Sequence, residues 1–331
     1  MTKRQWNPGE LLKLSGGYWN ACVLHAGVKL DLFSAIEPHG LTATAVAEKI
    51  DADPRALSML LNALTAMELL EKNSDTFLNT DISRDFLSKT SPKYIGHIIL
   101  HHHQLMESWA RLDEGVMTGK PIRKRKTRDD DQWRESFLMG MFNMAMQMAP
   151  LIVKEIDLSK RSHLLDLGGG PGTYAIHFCK QNPDLKATVY DLPTTRPFAE
   201  KTIEKFGLSD RIAFKDVDFI REGIEGTYDA AWLSHILHGE SPENCRQIIG
   251  KAVSALATGG MIIIHEFILD NTMDGPLFPA LFSLNMLLGT EGGQAYSEDQ
   301  LSEMLTGAGV KNICRIPINT PNDSGIIVGI R

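Results

Sequence analysis

Two histidines three residues apart, His235 and His238 in LSHILHGES (233–241), are the residues of this chain best suited to move a proton. Histidine titrates near neutrality, so it can take a proton from a hydroxyl and give it up again. Such a pair can also hold a metal ion, or simply pack. A spacing of three puts both on one face of a helix but on opposite faces of a strand, unless the strand ends between them and a turn brings them together. The apolar, β-rich run that leads into them favours a strand, so no metal is expected. A second cluster, His97, His101, His102 and His103 in HIILHHHQ, puts His97 and His101 on one helical face, where a zinc pair is geometrically possible. No acid or third histidine completes it, and solvated or packing histidines are expected. Cysteines 22, 179, 245 and 314 are scattered with no CxxC, which reads as reduced thiols of a cytosolic protein. Cys245 stands near the histidines, but a buried structural thiol is the common case.

A glycine-rich stretch, LLDLGGGPGTYAIHF, follows the pattern of a strand that ends in a loop and opens a helix at about Thr173. In open α/β sheets a ligand sits at such a strand end. A dinucleotide loop wants G-x-G-x-x-G or A. Gly168 and Gly170 fit, but Thr173 fills the third place, and Asp166 would repel a diphosphate. Both features oppose a nicotinamide-dependent oxidoreductase, and no GK[ST] follows to make a Walker loop. S-adenosylmethionine carries a sulfonium and an ammonium and no phosphate, so D-x-G-x-G-x-G, filled by Asp166, Gly168, Gly170 and Gly172, suits it better. Asp191 ends the next strand, 23 residues after Gly168, where a carboxylate can accept two ribose hydroxyls; a helix N-cap is the bland alternative. Asp218 ends the third strand, placed to bond an adenine amino group, with Phe219 against the ring.

The elements that position these residues are legible from residue 163 onward. HLLDLG, KATVYDL, RIAFKDVD, YDAAWLSHIL, GMIIIHEFIL, NICRIPI and GIIVGI are short β-rich runs, most of them separated by helical stretches. That alternation predicts a mainly parallel α/β sheet. NTPNDS is short enough to make the last two runs an antiparallel hairpin. The N-terminal third reads as helices: ACVLHAGVKLDLFSAI, LTATAVAEKI, and DPRALSMLLNALTAMELL with Asp53 as N-cap and Pro54 in the first turn. KNSDTFLNT then makes a short wing with a turn at Asn73–Asp75. A winged helix suggests DNA binding, but the third helix is mostly Leu, Met and Ala and looks buried. GKPIRKRKTRDDDQ, 119 to 132, sets five basic residues within 123 to 128 against three aspartates. It reads as a solvated linker, with a phosphate or acidic-partner patch as the sharper alternative. The domain boundary falls here, giving 1–118 and 119–331.

The totals agree. A chain of 331 residues, 43% hydrophobic and 23% charged, suits two globular domains. A net charge of −7 argues against a nucleic-acid binder. No apolar run reaches about 18 residues, the length of a membrane span, and the N-terminus lacks the apolar stretch of a signal peptide.

With these motifs assembled, the chain resembles the plant caffeate-type O-methyltransferases and their bacterial relatives. LDLF, TATAVAEKI and LLNALTAMELL match that family's winged-helix dimerisation domain. LLDLGGGPG, VYDLP, VDF, LHGES and IIIHEFIL match its methyltransferase motifs in order. The resemblance implies a Rossmann-like, seven-stranded sheet with a reversed last hairpin, a homodimer, and methylation of a small hydroxylated aromatic or polyketide-like acceptor. It implies S-adenosylmethionine contacts at Gly168, Asp191, Asp218 and Phe219; Asp166, Gly170, Leu192 and Ser234 complete the candidate set. It makes His238 the general base, Glu266 the residue that orients it, and His265, on the other face of its strand, a packing residue. A phenol with a pKa near 10 is a poor nucleophile until its proton leaves, and general-base help is worth roughly a hundred- to ten-thousand-fold.

The family's acceptor pocket corresponds to the methionine-rich FLMGMFNMAMQMAP (137–150). Methionine fills irregular apolar space, and Phe142 and Met146 are the pocket candidates, with Trp109 and Met286 behind them. The resemblance also allows His101 or His102 to reach that pocket. The sequence departs from the family in three places. Gly239 and Glu240 stand where the family prefers Asp and Trp, Ala295 replaces a second flanking glutamate, and Ser234 replaces a lysine near the adenine. Those departures keep two other readings open: a member with altered or lost methylation chemistry, and a winged-helix cofactor-sensing regulator.

Overall fold

The computed structural model describes residues 5–123 and 131–331. Residues 124–130 of the basic and acidic run at 119–132 thus lie outside the described residues; of its five basic residues in 123–128, Arg123 lies within them. The chain forms two compact units, Met1–Leu105 with Glu135–Asn143, and Met106–Arg134 with Met144–Arg331. This division differs from a single cut at 118/119, because two helices run through both units.

The first unit carries α1 (Pro8–Ser15), α2 (Tyr18–Lys29), α3 (Leu32–Ile36), β1 (Leu41–Thr42), α4 (Ala43–Ile50), α5 (Pro54–Ala66), β2 (Leu70–Asn73), β3 (Thr76–Asn79) and α6 (Asp81–Phe86). The stretch expected as one helix, ACVLHAGVKLDLFSAI, is two, because Asp31 takes a left-handed conformation (φ 55°) between α2 and α3. The Asp53 carboxylate accepts from Ala56 N at 2.7 Å, which caps α5 as its sequence predicts. α5 buries Leu57, Leu61 and Leu64, one stripe at helical spacing. The wing is a three-stranded sheet of order β1-β3-β2. The two shared helices are α7 (Gly96–Trp109) and, after α8 (Leu112–Thr118), α9 (Asp131–Ile152). The part of α9 and its continuation from Phe137 to Glu155 is 19 residues long and apolar enough to cross a membrane by length and composition. That departs from the expected absence of such a run, and the physical reason is the methionines, which count as apolar; core helices of globular domains pass the same test.

The second unit is an α/β sandwich: β4 (His163–Leu167), α10 (Thr173–Gln181), β5 (Lys186–Asp191), α11 (Arg196–Lys205), β6 (Ile212–Asp216), β7 (Tyr228–Ser234), α12 (Pro242–Ser254), β8 (Leu256–Leu269), α13 (Leu277–Gly289), β9 (Tyr296–Ser297), α14 (Glu298–Gly307), β10 (Lys311–Ile316) and β11 (Ser324–Ile330). The main path of the sheet has seven strands in the order β10-β11-β8-β7-β4-β5-β6, with the short β9 paired to β8 off that path. β10 and β11 form the antiparallel hairpin, and β11 runs antiparallel to β8. The other neighbours on the path are parallel. Both faces are covered, so the central strands are near-continuous apolar runs. One core packs Ile248, Ile249 and Leu301 against the sheet, and the other packs Phe178, Ile203 and the fully buried Trp232.

This order fixes the site. The chain goes from β4 to β5 and β6 on one side, then returns to place β7 on the other side of β4, so the switch point lies between β4 and β7. Leu167 pairs with Leu233, and Ser234 with His265, so the carboxyl ends of β4 and β7 stand level with His265 and Glu266 of β8, which runs on to Leu269. The glycine loop and the histidines leave from that edge, beside Glu266.

Candidate active site

At the end of β4 the backbone turns through Gly168, Gly170 and Gly172, with φ of 68°, 54° and 76°. L side chains disfavour that region, and glycine does not. A Cβ on Gly168 would stand 2.5 Å from Ile236 Cγ2, so the loop touches the segment leaving β7. A Cβ on Gly169 would stand 2.5 Å from the Asp166 carboxyl carbon. Asp166 therefore lies beneath the loop rather than on its surface, 1% exposed, with Ala175 N donating to it at 3.3 Å. Burial pushes its pKa up to about 7, against the pull of that one hydrogen bond, and Asp191 raises it further. A buried acid with so few donors is stabilised in its charged form by a cation above the loop.

Asp191 ends β5, as expected, and it is not a helix cap, since α11 begins behind Thr195. Gly170 N donates to its Oδ2 at 2.8 Å, and Leu192 N and Thr195 Oγ1 donate to its Oδ1 at 2.7 and 3.1 Å. Burial raises its pKa in opposition to these donors. Leu192 is 44% exposed beside it. β6 ends at Asp216, two residues before the Asp218 expected there, so Asp218 and Phe219 belong to the following loop. That loop is held by its own turn, with Ile220 N donating to Asp218 Oδ1 at 3.2 Å. Lys251 Nζ also donates to the carbonyls of Phe219 and Ile220 at 2.9 and 2.7 Å. Nothing in the sequence signalled Lys251, which reaches back from the last turn of α12.

The two histidines meet. β7 stops at Ser234, and His235 turns with φ 56°, its N–H donating to His265 O at 2.9 Å. The opposite-face arrangement of a strand therefore does not apply, because the strand ends before either histidine. His238 Nδ1 lies 2.7 Å and His235 Nδ1 3.5 Å from the same Glu266 oxygen, Oε2. The other oxygen, Oε1, accepts from Leu237 N at 2.8 Å and His238 N at 3.3 Å. Burial works against the charge on Glu266, but His238 and His235 with their hydrogen bonds overcome it and hold the carboxyl well below the usual carboxylate range. An ionised carboxylate only accepts, so the 2.7 Å contact makes Nδ1 of His238 the donor, and in the neutral imidazole the accepting lone pair is then on Nε2. Among the described residues, His235, His238 and Glu266 form the one group of metal-ligand type, with ligand atoms within 4.8 Å of one another.

His265 faces the other way. It is 1% exposed between Ser234 Oγ (2.9 Å) and Ser324 Oγ (3.0 Å), and burial carries its pKa well below the ordinary value. The Ser234 hydroxyl is thus engaged inside the sheet. Cys245 Sγ donates to Leu237 O at 3.2 Å, and burial pushes its pKa up to about 12, the opposite of an activated thiol.

The loop after His238 is clamped from below. A Cβ on Gly293 would stand 2.4 Å from His238 O, and the Tyr296 hydroxyl donates to Glu240 O. Ala295 is fully buried, with its N–H on Ser283 Oγ, so no second carboxylate flanks the base from that position. Aromatic rings surround His238 instead: Phe282 is edge-on at 4.7 Å and Phe267 is stacked at 5.8 Å, with Phe278 5.0 Å from Phe267. These phenylalanines went unread in the sequence; only the i, i+4 spacing of Phe278 and Phe282 hinted at a shared face.

Of the pocket candidates, Phe142 and Met146 are half-buried on α9, one turn apart. Trp109 Nε1 donates to Asn285 Oδ1 at 3.3 Å, and Met286 is buried next to Asn285 on α13. His97 and His101 form no three-ligand group among the described residues; their rings pack on Tyr94 and Phe137, each at 5.3 Å.

Comparison with known proteins meets this geometry from outside. Residues 117–311 match the O-methyltransferase domain, and residues 12–89 the O-methyltransferase dimerisation domain. A 3-hydroxy-5-methyl-1-naphthoate 3-O-methyltransferase of Streptomyces sahachiroi is 30% identical over 330 residues, covering 98% of this chain and 95% of its own. PigF, an S-adenosyl-L-methionine-dependent methyl transferase of Serratia, is 27% identical over 325 residues, covering 95% of this chain and 93% of its own. The structure of PigF with SAH superposes with a TM-score of 0.89 at 26% identity, covering 98% of this chain and all of that one. An O-methyltransferase family protein from Burkholderia thailandensis gives 0.88 at 28% identity, covering 99% of both chains. The left-handed glycine loop over a buried acid, followed by the carboxylate of Asp191 at the next strand end, fits the methyl donor of those proteins. The chain belongs to the O-methyltransferase family, and it is an S-adenosylmethionine-dependent O-methyltransferase.

Proposed function

We propose that His238 is the general base that deprotonates a hydroxyl of a small aromatic or polyketide-like acceptor. The observation that carries this is the 2.7 Å contact of His238 Nδ1 with a fully buried, ionised Glu266. It fixes the tautomer, turns Nε2 into the proton acceptor, and stabilises the imidazolium that forms. Bound S-adenosylmethionine supplies an electrophilic methyl group on a sulfonium. Gly168, Gly170, Asp191 and Leu192 hold its ribose and amino-acid end in this reading, Asp218 and Phe219 its adenine, and Asp166 offsets its positive charge from beneath the loop. Ser234 acts here through His265, as a support of the β7 end. Met146, Trp109 and Met286 line the acceptor pocket in this reading, with Phe142 one turn from Met146 on α9, and the phenylalanines around His238 exclude water from it. Gly239 carries no side chain that could hold a second acceptor hydroxyl, which favours acceptors without a catechol-like pair. Residues 1–118 pair two copies into a homodimer, in keeping with the dimerisation domain. The four free cysteines suit a reducing, cytosolic setting.

The test is a titration with S-adenosylhomocysteine by calorimetry, then incubation with methyl-labelled cofactor and a panel of phenols and naphthols. Binding with label on the acceptor oxygen supports the reading. Binding with label on carbon or nitrogen, or on no acceptor of the panel, overturns it.

A further inference from the structure

His238 needs one carboxylate to hold its tautomer, yet Glu266 Oε2 faces two imidazoles. His238 Nδ1 lies 2.7 Å from it and His235 Nδ1 3.5 Å. The second contact is at the outer limit of a hydrogen bond, and among the described residues this buried nitrogen has no better partner. His235 is nevertheless fixed. Its ring packs on His265 and Phe267, each 4.3 Å away between ring centres, on a backbone with a left-handed φ. Two imidazole nitrogens and one carboxylate oxygen thus converge within 4.8 Å of one another. The carboxylate is buried and the two imidazoles are partly exposed, which leaves an entry for an ion. Ligand atoms around a tetrahedral zinc, with bonds of about 2.0–2.2 Å, stand roughly 3.3 Å apart. The separation of His235 from Glu266 already matches, and His238 has to withdraw from Glu266 by roughly 0.6 Å. Two nitrogens and one oxygen favour zinc and its first-row neighbours, whereas magnesium and calcium take oxygen ligands.

We propose that His235, His238 and Glu266 form an inhibitory site for a zinc-type divalent cation. The inhibition, though not the binding, rests on the reading of His238 as the base. A metal on Nδ1 of His238 takes the place of the hydrogen now directed at Glu266, and that proton passes through solvent to Nε2. The imidazole stays neutral, but its Nε2 now carries the N–H and has no lone pair for the acceptor's proton. His235 likewise stays neutral, with its one proton on Nε2. Glu266 exchanges an imidazole N–H for the metal and remains ionised. Only coordinate bonds form, so removal of the metal restores the base. A chelator is therefore without effect on the metal-free enzyme and reactivates the inhibited one.

The experiment titrates the metal-free, full-length protein with Zn2+, in the wild type and in His235→Ala and His235→Phe. It follows the heat of binding and methyl transfer to a phenol, each variant's inhibition being read against its own rate without metal. The phenylalanine keeps the ring packing and removes the ligand. In the wild type the affinity for Zn2+ should match the inhibition constant, Mg2+ and Ca2+ should not inhibit, and EDTA should restore the rate. Losing an outer partner of a metal ligand costs about 10- to 100-fold in affinity, so losing a ligand should weaken the inhibition at least about tenfold. A second measurement needs no turnover: the electron paramagnetic resonance of bound Cu2+ should show two coordinating nitrogens in the wild type and one in the His235 variants. No inhibition by Zn2+ together with no binding, inhibition undiminished in both variants, or a Cu2+ spectrum they leave unchanged, overturns the site and leaves His238 standing as the base. The two-nitrogen signature with no loss of turnover would overturn the inhibitory role and, with it, the reading of His238 as the base.

Discussion

Glu266→Gln changes one charge and almost no volume, and it tests what the buried carboxylate does for His238. In the native site the two carboxylate oxygens accept four N–H groups: Leu237 N and His238 N on Oε1, and His238 Nδ1 and Phe267 N on Oε2. An amide offers one accepting oxygen. If that oxygen faces the imidazole, the amide NH2 faces two backbone donors; if it faces the backbone, the NH2 faces Nδ1–H and the tautomer is driven to invert. Either way a charge-assisted bond becomes at best a neutral one. The difference is about 1–2 kcal/mol, and a misplaced donor adds a similar amount, so methyl transfer should fall roughly 10- to 1,000-fold. The assay is single-turnover transfer of labelled methyl to two acceptors of similar shape, an ordinary phenol and a nitrophenol already ionised at neutral pH. The loss should be large with the phenol and shrink to a few-fold with the nitrophenol, which needs no base. An equal loss with both would refute the account of Glu266 as the support of a proton-accepting His238, and would make it a purely structural residue.

Other outcomes follow from the same geometry. Asp166, raised from 3.8 to about 7, binds a proton in the folded apo protein that the unfolded chain has already lost, so it makes folding less favourable as pH rises between these values. Asp166→Asn should therefore raise the apo Tm at pH 8 while weakening S-adenosylmethionine at least about tenfold; a mutant that loses stability and keeps affinity would contradict the placement of the charge. Glu266 has the opposite sign: its depressed pKa stabilises the fold above the ordinary carboxylate pKa of 4.5, and that contribution goes as pH falls below it, so Glu266→Gln should flatten the acid limb of a Tm–pH profile. Gly293→Ala would press a Cβ against His238 O and should lower kcat with cofactor affinity within a few-fold, read by calorimetry beside turnover. Chelators should leave turnover unchanged; loss of activity in EDTA, restored by one divalent ion, would transfer the role of His235, His238 and Glu266 to metal ligation.

The cofactor half was legible because each of its parts is local. A glycine at positive φ, an acid two residues before it and a carboxylate at the next strand end are short-range patterns, and the sheet order brings them together without further instruction. His238 and Glu266 were legible only through the resemblance, since 28 residues separate them and β7 and β8 must pair in register first. The convergence of His235 on Glu266 depends on one left-handed φ after Ser234, which no propensity for histidine announces. The phenylalanines of α13 and the hold of Lys251 on the Phe219 loop depend on packing between distant elements. The break at Asp31 escaped for the same reason: the apolar periodicity continues through it while the backbone does not.

The central claim is that His238 takes the acceptor's proton. The most direct measurement is single-turnover methyl transfer by His238→Ala, with S-adenosylhomocysteine affinity determined on the same preparation. The account predicts cofactor affinity within a few-fold of the wild type and transfer to an ordinary phenol reduced at least roughly a hundredfold. Transfer at the wild-type rate with intact cofactor binding would contradict it.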